Sequence, residues 1–178
     1  MSDINADTTA PKEWRGRFLE DFEVADVFRS RLGRTLTATD NTWFTLLTMN
    51  TNQIHFNEAF AARTEFGRPL IVSSLTLAVV LGLSVADTSE NAAANLGWKD
   101  IRLPKPVYAG DTVWAESEVK GVRPSKSRPN VGIVSVRTRG INQNGEVVIE
   151  FTRSFMVYRR NAPEVTDMFP VTDEEWSV

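Results

Sequence analysis

LIVSSLTLAVVLGLSVA, residues 70–86, is a run of 17 residues without a charge. Pro69 precedes it, as proline often does at the first turn of a helix, and Asp87 opens a polar stretch after it. The run therefore predicts one long apolar helix. Its length is at the short end of what spans a bilayer, and its small and polar residues favour a helix buried in a protein core.

Strand patterns follow this helix, over residues 101–103, 112–122, 131–141 and 146–158. The last run alternates apolar and polar residues, which is the period of an antiparallel strand with one buried face. Asn142-Gln143-Asn144-Gly145 predicts a hairpin between the final two strands, because Asn-Gly accepts positive φ. One apolar helix followed by antiparallel strands predicts an α+β fold, with a curved sheet wrapped around the helix. The exposed sheet edges predict at least a homodimer. Because the helix has no polar face to meet water, we expect the sheet and a second copy of the chain to bury it.

Two short helices are predicted upstream, with Asp40 as N-cap of residues 41–48 and Asn57 as N-cap of residues 58–64. His55, the only histidine, lies between them. Trp43, Phe44 and Leu47 fall near one helical face and predict core packing, with a role in lining a substrate pocket as the second interpretation. Because no repeat or low-complexity stretch occurs, we expect one domain over residues 13–160, a flexible segment over residues 1–12 and a tail over residues 161–178.

Composition excludes several classes of function. The chain has no cysteine and one histidine, which rules out disulfides, thiolate metal sites, cysteine nucleophiles and zinc sites built on two imidazoles. We expect no metal. The net charge of -3, with scattered lysines and arginines, argues against nucleic acid as a partner. The polar, acidic start of the chain does not read as a signal peptide, and we expect a cytoplasmic protein without a membrane span.

Three blocks of sequence carry a family resemblance. The first is Asn50-Thr51-Asn52-Gln53-Ile54-His55-Phe56-Asn57, followed by Phe66-Gly67-Arg68-Pro69 and Ser73-Ser74; the second is residues 103–112, and the third is residues 142–148. Taken in this order, they resemble the signature of the MaoC-like (R)-specific enoyl-CoA hydratase family, over roughly residues 44–158. Residues 87–91 and 94–98 look most like the mesaconyl-CoA or β-methylmalyl-CoA hydratase branch of that family.

The resemblance implies a single hotdog fold and a hydratase or dehydratase acting on a short or branched acyl-CoA thioester, with no cofactor besides the coenzyme A of the substrate. It makes His55 the catalytic histidine and matches Asn52 to the family asparagine, whereas Asn50 stands where the family has an aspartate. It assigns the oxyanion donor to the backbone N–H of Ser73. Such a donor is needed because negative charge develops on the thioester oxygen. The reaction also needs a base to activate water and an acid to protonate Cα.

Other interpretations of these residues stay open. Asn50 and Asn52 are also common turn residues, and Gly110-Asp111 is typical of a tight turn before a strand. Ser74, Arg123, Lys126 and Arg128 are candidate substrate contacts, the last three for coenzyme A phosphates, although the same charged loop fits a solvated hairpin. Asp40 and Glu65 are candidate carboxylate partners of His55. Without the aspartate, the chain could be a non-catalytic acyl-CoA binding subunit, and the fold also suits a thioesterase.

Overall fold

The computed structural model describes residues 14–166, 170 and 172–174, so the segment predicted to be flexible, residues 1–12, lies outside the described residues. The helices are α1 (Ala38–Thr48), α2 (Glu58–Ala61) and α3 (Ser73–Thr88). The strands are β1 (Val27–Arg29), β2 (Arg34–Thr35), β3 (Ala92–Arg102), β4 (Thr112–Pro124), β5 (Val131–Asn142) and β6 (Val147–Tyr158). Short 3-10 turns cover Leu19–Asp21, Gln53–His55 and Pro163–Val165.

The strands form one antiparallel sheet in the order β1-β4-β5-β6-β3, with β2 also paired to β4. The predictions for β4, β5 and β6 are confirmed to within two residues. The predicted hairpin joins β5 and β6: Asn142 N–H donates to Glu146 O at 2.9 Å, and Gly145 N–H donates to Asn142 O at 3.0 Å. Gly145 has a φ of 77°, a conformation in which glycine carries no steric penalty.

One face of α3 packs against the sheet. Its buried residues, Leu75, Thr76, Val80, Ser84 and Thr88, recur at helical spacing. Val80 is fully buried, and a Cβ built on Gly140 of β5 would lie 2.6 Å from Val80 Cγ2. Glycine at position 140 therefore lets helix and sheet approach closely. A sheet wrapped against one long helix confirms the predicted hotdog fold.

The start predicted for α3 is wrong by three residues. The helix begins at Ser73, because Leu70 pairs with Tyr108 as an extended bridge and Ile71 N–H donates to Val107 O at 2.9 Å. These backbone groups take partners from a distant segment and cannot join the helix. At its other end α3 runs to Thr88, two residues beyond the predicted end.

The prediction for the start of α1 is also wrong. Thr37 is the N-cap, and Asp40 is the third helical residue, which completes a capping box by accepting Thr37 N–H at 2.8 Å. Asn57 does cap α2, accepting Phe60 N–H at 3.0 Å, but that helix ends at Ala61 rather than at residue 64. Trp43 and Leu47 are exposed, contrary to the core packing expected of them, and only Phe44 packs against the core.

Strand β3 is far longer than the predicted run over residues 101–103, and β1 and β2 were not predicted. Strand β3 forms one edge of the sheet and is irregular, with register shifts along its pairing with β6. Gly97 and Asp100 adopt φ values of 152° and 55°. A strand is recognised in a sequence by the regular alternation of apolar and polar residues. The irregular strand β3 lacks that alternation.

The C-terminal end of α3 meets a buried cation. Arg153 of β6 is 5% exposed, and its Nη2 donates to Thr88 Oγ1 and Ser89 Oγ, both at 3.0 Å. The guanidinium also lies over the Phe155 ring, while its Nε has no partner within the described residues. Burial lowers the pKa of Arg153 to about 10. The carbonyl end of a helix is a favourable place for such a charge.

The face of α3 directed away from the sheet is open in the single chain. Ala78, Gly82, Val85 and Ala86 are exposed there. The prediction that the sheet buries α3 is therefore confirmed for one face, and burial of the other face by a second copy stays a prediction. No helix in the described part of the chain is long and apolar enough to cross a membrane.

Candidate active site

His55 lies at the end of the 3-10 turn between α1 and α2 and is half-buried. Its Nδ1 is 3.0 Å from Leu70 O. Because a carbonyl oxygen can only accept a hydrogen bond, Nδ1 carries the proton in this contact. In the neutral imidazole the lone pair is then on Nε2, which can take a proton from a substrate or a water.

A buried amide fixes the position of His55. Asn41 of α1 is 3% exposed, and its Nδ2 donates to His55 O at 2.6 Å and to Leu70 O at 2.9 Å. Its Oδ1 accepts Val72 N–H at 2.8 Å. One side chain thus joins the histidine turn to the segment that leads into α3. Leu70 N–H adds a further link by donating to Ile54 O at 3.1 Å.

The first turn of α3 presents unpaired N–H groups. Thr76 N–H makes the first bond within the helix, to Val72 O at 3.1 Å, so the N–H groups of Ser73 and Ser74 have no intrahelical partner. Val72, the N-cap, supplies no side-chain oxygen to satisfy them. Both serines are exposed. The positive end of the α3 dipole therefore faces solvent three residues after Leu70, the residue that contacts His55.

Asn50 and Asn52 both act as turn residues. Asn50 Oδ1 accepts Asn52 N–H at 3.0 Å, and Asn52 Oδ1 accepts Ile54 N–H at 3.3 Å. Asn50 N–H also closes the end of α1 by donating to Thr45 O at 2.9 Å. The turn interpretation of these asparagines is confirmed. Asn50 Oδ1 is thus engaged in the turn, and the Nδ2 of the same amide can only donate.

The second and third sequence blocks, residues 103–112 and 142–148, hold the segment that pairs with Leu70 and Ile71. Asp111 accepts Tyr108 N–H at 2.9 Å through Oδ2 and Gln143 Nε2 at 2.9 Å through Oδ1. Gly110, with a φ of 98°, makes the tight turn between Tyr108 and β4. The structural interpretation of Gly110-Asp111 is confirmed. This turn holds Val107 and Tyr108, which in turn pair with Ile71 and Leu70.

Neither Asp40 nor Glu65 makes a hydrogen bond or ion pair with His55 within residues 14–166. Burial acts to raise the pKa of Asp40, but hydrogen bonds from Thr37 and the charge of Arg34 outweigh it and hold that pKa below its ordinary value. Asp40 is therefore ionised at neutral pH and engaged in the α1 cap and in an ion pair with Arg34 at 2.7 Å. Glu65 is exposed and makes no hydrogen bond to residues 14–166.

Arg123, Lys126 and Arg128 are not brought to His55 within one chain. Arg123 is the twelfth of the 13 residues of β4, and Lys126 and Arg128 follow in the loop to β5. His55 lies at the other end of the sheet, where Tyr108 and Asp111 lead into Thr112. Strand β4 spans roughly 40 Å at the usual rise per residue.

Comparison with known proteins gives the family. A model of the family described as mesaconyl-CoA hydratase matches residues 4–177. The chain belongs to the mesaconyl-CoA hydratase family. A mesaconyl-CoA hydratase of Cereibacter sphaeroides is 34% identical over 82% of this chain and 42% of its own length. A beta-methylmalyl-CoA dehydratase of Chloroflexus aurantiacus is 35% identical over 89% of this chain and 47% of its own length.

Solved structures agree with this family. A MaoC-like dehydratase from Rhodospirillum rubrum has a TM-score of 0.72 and 31% identity, covering 83% of this chain and 100% of that one. A Mycobacterium tuberculosis protein described as a double hotdog fold has a TM-score of 0.76 at 21% identity, covers 92% of this chain and 54% of that one, and shows the fold alone. The chain spans about half the length of the curated relatives it matches.

Asn41 is the site residue that sequence reasoning missed in this member of the mesaconyl-CoA hydratase family. The sequence offered one signal, which is an asparagine among the threonines and aromatic residues of a helix. The sequence does not show what that helix packs against. Its role depends on three backbone groups, two of them 14 and 31 residues away in the chain. Such a contact becomes visible only once the chain is folded.

Proposed function

We propose that this protein hydrates a short or branched enoyl-CoA, or dehydrates the corresponding 3-hydroxyacyl-CoA. One observation carries the proposal: His55 Nδ1 donates to Leu70 O, which leaves Nε2 as a proton acceptor, and Leu70 itself lies three residues before the first N–H groups of α3, which have no intrahelical partner. Oxyanion donors and a base that can return its proton to Cα as an acid are the requirements of the reaction. The activities named for the relatives of this chain, on mesaconyl-CoA and β-methylmalyl-CoA, are consistent with it.

In the proposed reaction the thioester oxygen accepts hydrogen bonds from the N–H groups of Ser73 and Ser74. Water adds to Cβ and gives a proton to His55 Nε2, while electrons of the C=C bond move into the enolate. The imidazolium then returns that proton to Cα, which restores the thioester carbonyl. No cofactor beyond the coenzyme A of the substrate enters these steps. Asn50 Nδ2 donates to the water oxygen and orients it.

A second candidate, acyl-CoA binding without catalysis, is favoured by the engagement of Asn50. Its oxygen accepts Asn52 N–H, and an amide cannot accept a proton as the family aspartate does. If His55 cannot act alone on the water, the same site would bind thioesters and leave them unchanged.

We further propose a homodimer. Two surfaces of the single chain support it: the unpaired edge of β3, where Leu96 and Trp98 are 48% and 44% exposed, and an apolar patch beside His55. That patch consists of exposed side chains on α1, α2 and the connecting turns, namely Trp43, Leu46, Leu47, Met49, Phe56 and Phe60. Large exposed apolar patches are typical of interaction surfaces. A cytoplasmic location stays a prediction.

Such a dimer would also bring the predicted coenzyme A contacts of one copy close to His55 of the other. If the β3 strands of two copies pair antiparallel, the end of one sheet that carries residues 123–128 lies beside the His55 end of the other. Arg123, Lys126 and Arg128 of the second copy would then face the phosphates of a thioester bound at the first. Light scattering that finds a monomer at working concentration would remove this arrangement.

The experiment compares three proteins by loss or gain of the enoyl thioester absorbance, with mesaconyl-CoA and crotonyl-CoA as substrates. His55→Asn can keep the hydrogen bond to Leu70 O but lacks a proton acceptor at Nε2, so we expect a loss in kcat of roughly 10²- to 10⁴-fold. Asn50→Asp adds an acceptor beside the water, and we expect a higher rate on at least one substrate.

Unchanged activity of His55→Asn would remove His55 from the mechanism. A wild type that is inactive on both thioesters, is not activated by Asn50→Asp and still binds acyl-CoA in isothermal titration would leave the binding protein as the function.

A further inference from the structure

Arg68 lies next to the contact that fixes His55. Leu70, whose carbonyl oxygen is 3.0 Å from His55 Nδ1, follows Arg68 by two residues, with Pro69 between them. Two residues span at most about 7 Å of extended chain, so the Cα atoms of Arg68 and Leu70 are no further apart than that. The proline ring also restricts the backbone at this point. Arg68 is therefore tied to the candidate active site of its own chain.

An aromatic ring holds the guanidinium of Arg68. Its Cζ is 3.8 Å from the centroid of the Tyr108 ring. Tyr108 is itself held, because Asp111 Oδ2 accepts its N–H at 2.9 Å and its backbone pairs with Leu70. A guanidinium stacked on a ring keeps its N–H donors, which point outward in its plane. The segment that pairs with Leu70 therefore also orients Arg68.

The donors of Arg68 are free. The residue is exposed, and its side chain makes no hydrogen bond or ion pair with any residue from 14 to 166. Arg137, which is also exposed, in contrast holds Glu150 at 2.7 Å. A planar guanidinium with unused donors matches the oxygens of a phosphate, which it can bind through two parallel hydrogen bonds. The surplus charge beside His55 is thus suited to a phosphate.

A coenzyme A thioester carries its phosphates away from the reacting atoms. The pantetheine arm separates the thioester from the diphosphate, which is the phosphate group nearest to that arm. The diphosphate of a thioester bound at His55 therefore lies on the surface around the site, where Arg68 is exposed. The loop with Arg123, Lys126 and Arg128 is roughly 40 Å away along β4, so it reaches this site only if a second copy supplies it.

We propose that Arg68 binds the diphosphate of the coenzyme A thioester whose acyl group reaches His55. The inference rests on the proposed function and assigns one substrate contact to a residue of the same chain. Arg68 is a substrate-binding residue in this arrangement, since it holds the arm of the thioester and none of the reacting atoms. Its loss weakens binding and leaves the reaction centre as it is.

The test compares saturated thioesters that differ in the phosphates they carry. Butyryl-CoA has the diphosphate and the 3′-phosphate, butyryl-dephospho-CoA has the diphosphate alone, and butyryl-pantetheine has neither. Calorimetric titration measures their affinities without turnover. For Arg68→Gln we expect a loss of about 10- to 100-fold in affinity for the first two thioesters, and a change of less than about 2-fold for butyryl-pantetheine.

Crotonyl-CoA and crotonyl-pantetheine are the matching pair for kinetics. Arg68→Gln should raise KM for crotonyl-CoA by about 10- to 100-fold and change kcat by less than about 2-fold, because the bond to the diphosphate is the same in the substrate and in the transition state. Arg68→Lys keeps the charge but loses the paired donors, and its KM should lie between those of the wild type and Arg68→Gln.

Arg31→Gln is the matched control. Arg31 is exposed, lies between β1 and β2, and makes no ion pair within residues 14–166. Its substitution removes the same charge from another part of the surface, and we expect wild-type behaviour with every thioester. Arg123→Gln tests whether the loop of a second copy holds the phosphates instead.

Equal losses of Arg68→Gln on all three butyryl thioesters would indicate a structural role and overturn the proposal, as would unchanged affinities. A loss confined to butyryl-CoA would give Arg68 the 3′-phosphate and overturn its assignment to the diphosphate. A loss with the two phosphate-bearing thioesters in Arg123→Gln alone would give the diphosphate to that loop. A protein that binds butyryl-CoA through Arg68, yet hydrates neither crotonyl-CoA nor mesaconyl-CoA, would refute the hydratase and retain the diphosphate contact.

Discussion

Replacement of Asn41 by leucine tests the arrangement that holds His55. Leucine is close in size to asparagine but can neither donate nor accept. The substitution removes the bonds to His55 O, Leu70 O and Val72 N–H. Leu70 O keeps its bond from His55 Nδ1, so two backbone groups, His55 O and Val72 N–H, lose the bond that Asn41 supplies.

The expected loss in the free energy of unfolding follows from these two backbone groups, His55 O and Val72 N–H. An unsatisfied buried polar group costs about 1–3 kcal/mol, so Asn41→Leu should lower the free energy of unfolding by about 2–6 kcal/mol. A domain of this kind has only about 5–15 kcal/mol in total. Because His55 and the start of α3 also shift relative to each other, we expect a loss of about 10²-fold in kcat where the variant is still folded.

Urea unfolding followed by tryptophan fluorescence measures the first effect, and the enoyl thioester assay measures the second. Thr42→Ala, one residue along α1 at an exposed position, is the control and should be close to wild type in both. An Asn41→Leu protein with the urea midpoint and kcat of the wild type would refute the role assigned to this amide.

Two further predictions concern charged residues away from His55. Asp40→Ala removes the capping box of α1 and should cost about 1 kcal/mol at pH 7. The folded-state pKa of Asp40 is lowered, so its contribution is present above the unfolded-state value near 3.8 and is lost as the pH falls through the folded value. The gap in unfolding free energy between wild type and variant should therefore close in that acidic range, and a constant gap would contradict it. Arg153→Met removes a buried guanidinium whose Nε is unpaired, and thermal unfolding should show a Tm equal to or above that of the wild type. A Tm lower by several degrees would show that the bonds to Thr88 and Ser89 stabilise the fold on balance.

Much of the sheet could be predicted from the sequence, because its signals are local. Alternation in β6 and the Asn-Gly pair at residues 144–145 need no partner to be recognised. The start of α3 and the strand β3 could not be predicted in the same way. Leu70 and Ile71 continue the apolar pattern of the helix, yet residues 107–108 hold them extended. Strand β3 is broken by register shifts and by positive φ at Gly97 and Asp100.

The site was predictable where residue type limits the chemistry. A lone histidine in a recognisable block indicated His55 as the catalytic candidate, and its role stays a prediction, whereas the turn roles considered for the asparagines beside it are confirmed. Asn41 carried no such mark, because its role depends on the three backbone groups that surround it in the fold.

The bonds between residues 54–55 and Leu70 have a consequence for how this chain can vary. Ile54 O, His55 Nδ1 and Leu70 meet at one point, so residues 56–69, which include α2, leave the site and return to the same place. The two ends of this segment are held together by their own hydrogen bonds. The entropic cost of closing a loop grows only slowly with the length of the loop. Insertions or deletions within this segment can therefore change the surface next to His55 and leave the histidine where it is. Under the proposed function, selectivity for different thioesters can diversify in this segment at little cost to the position of His55.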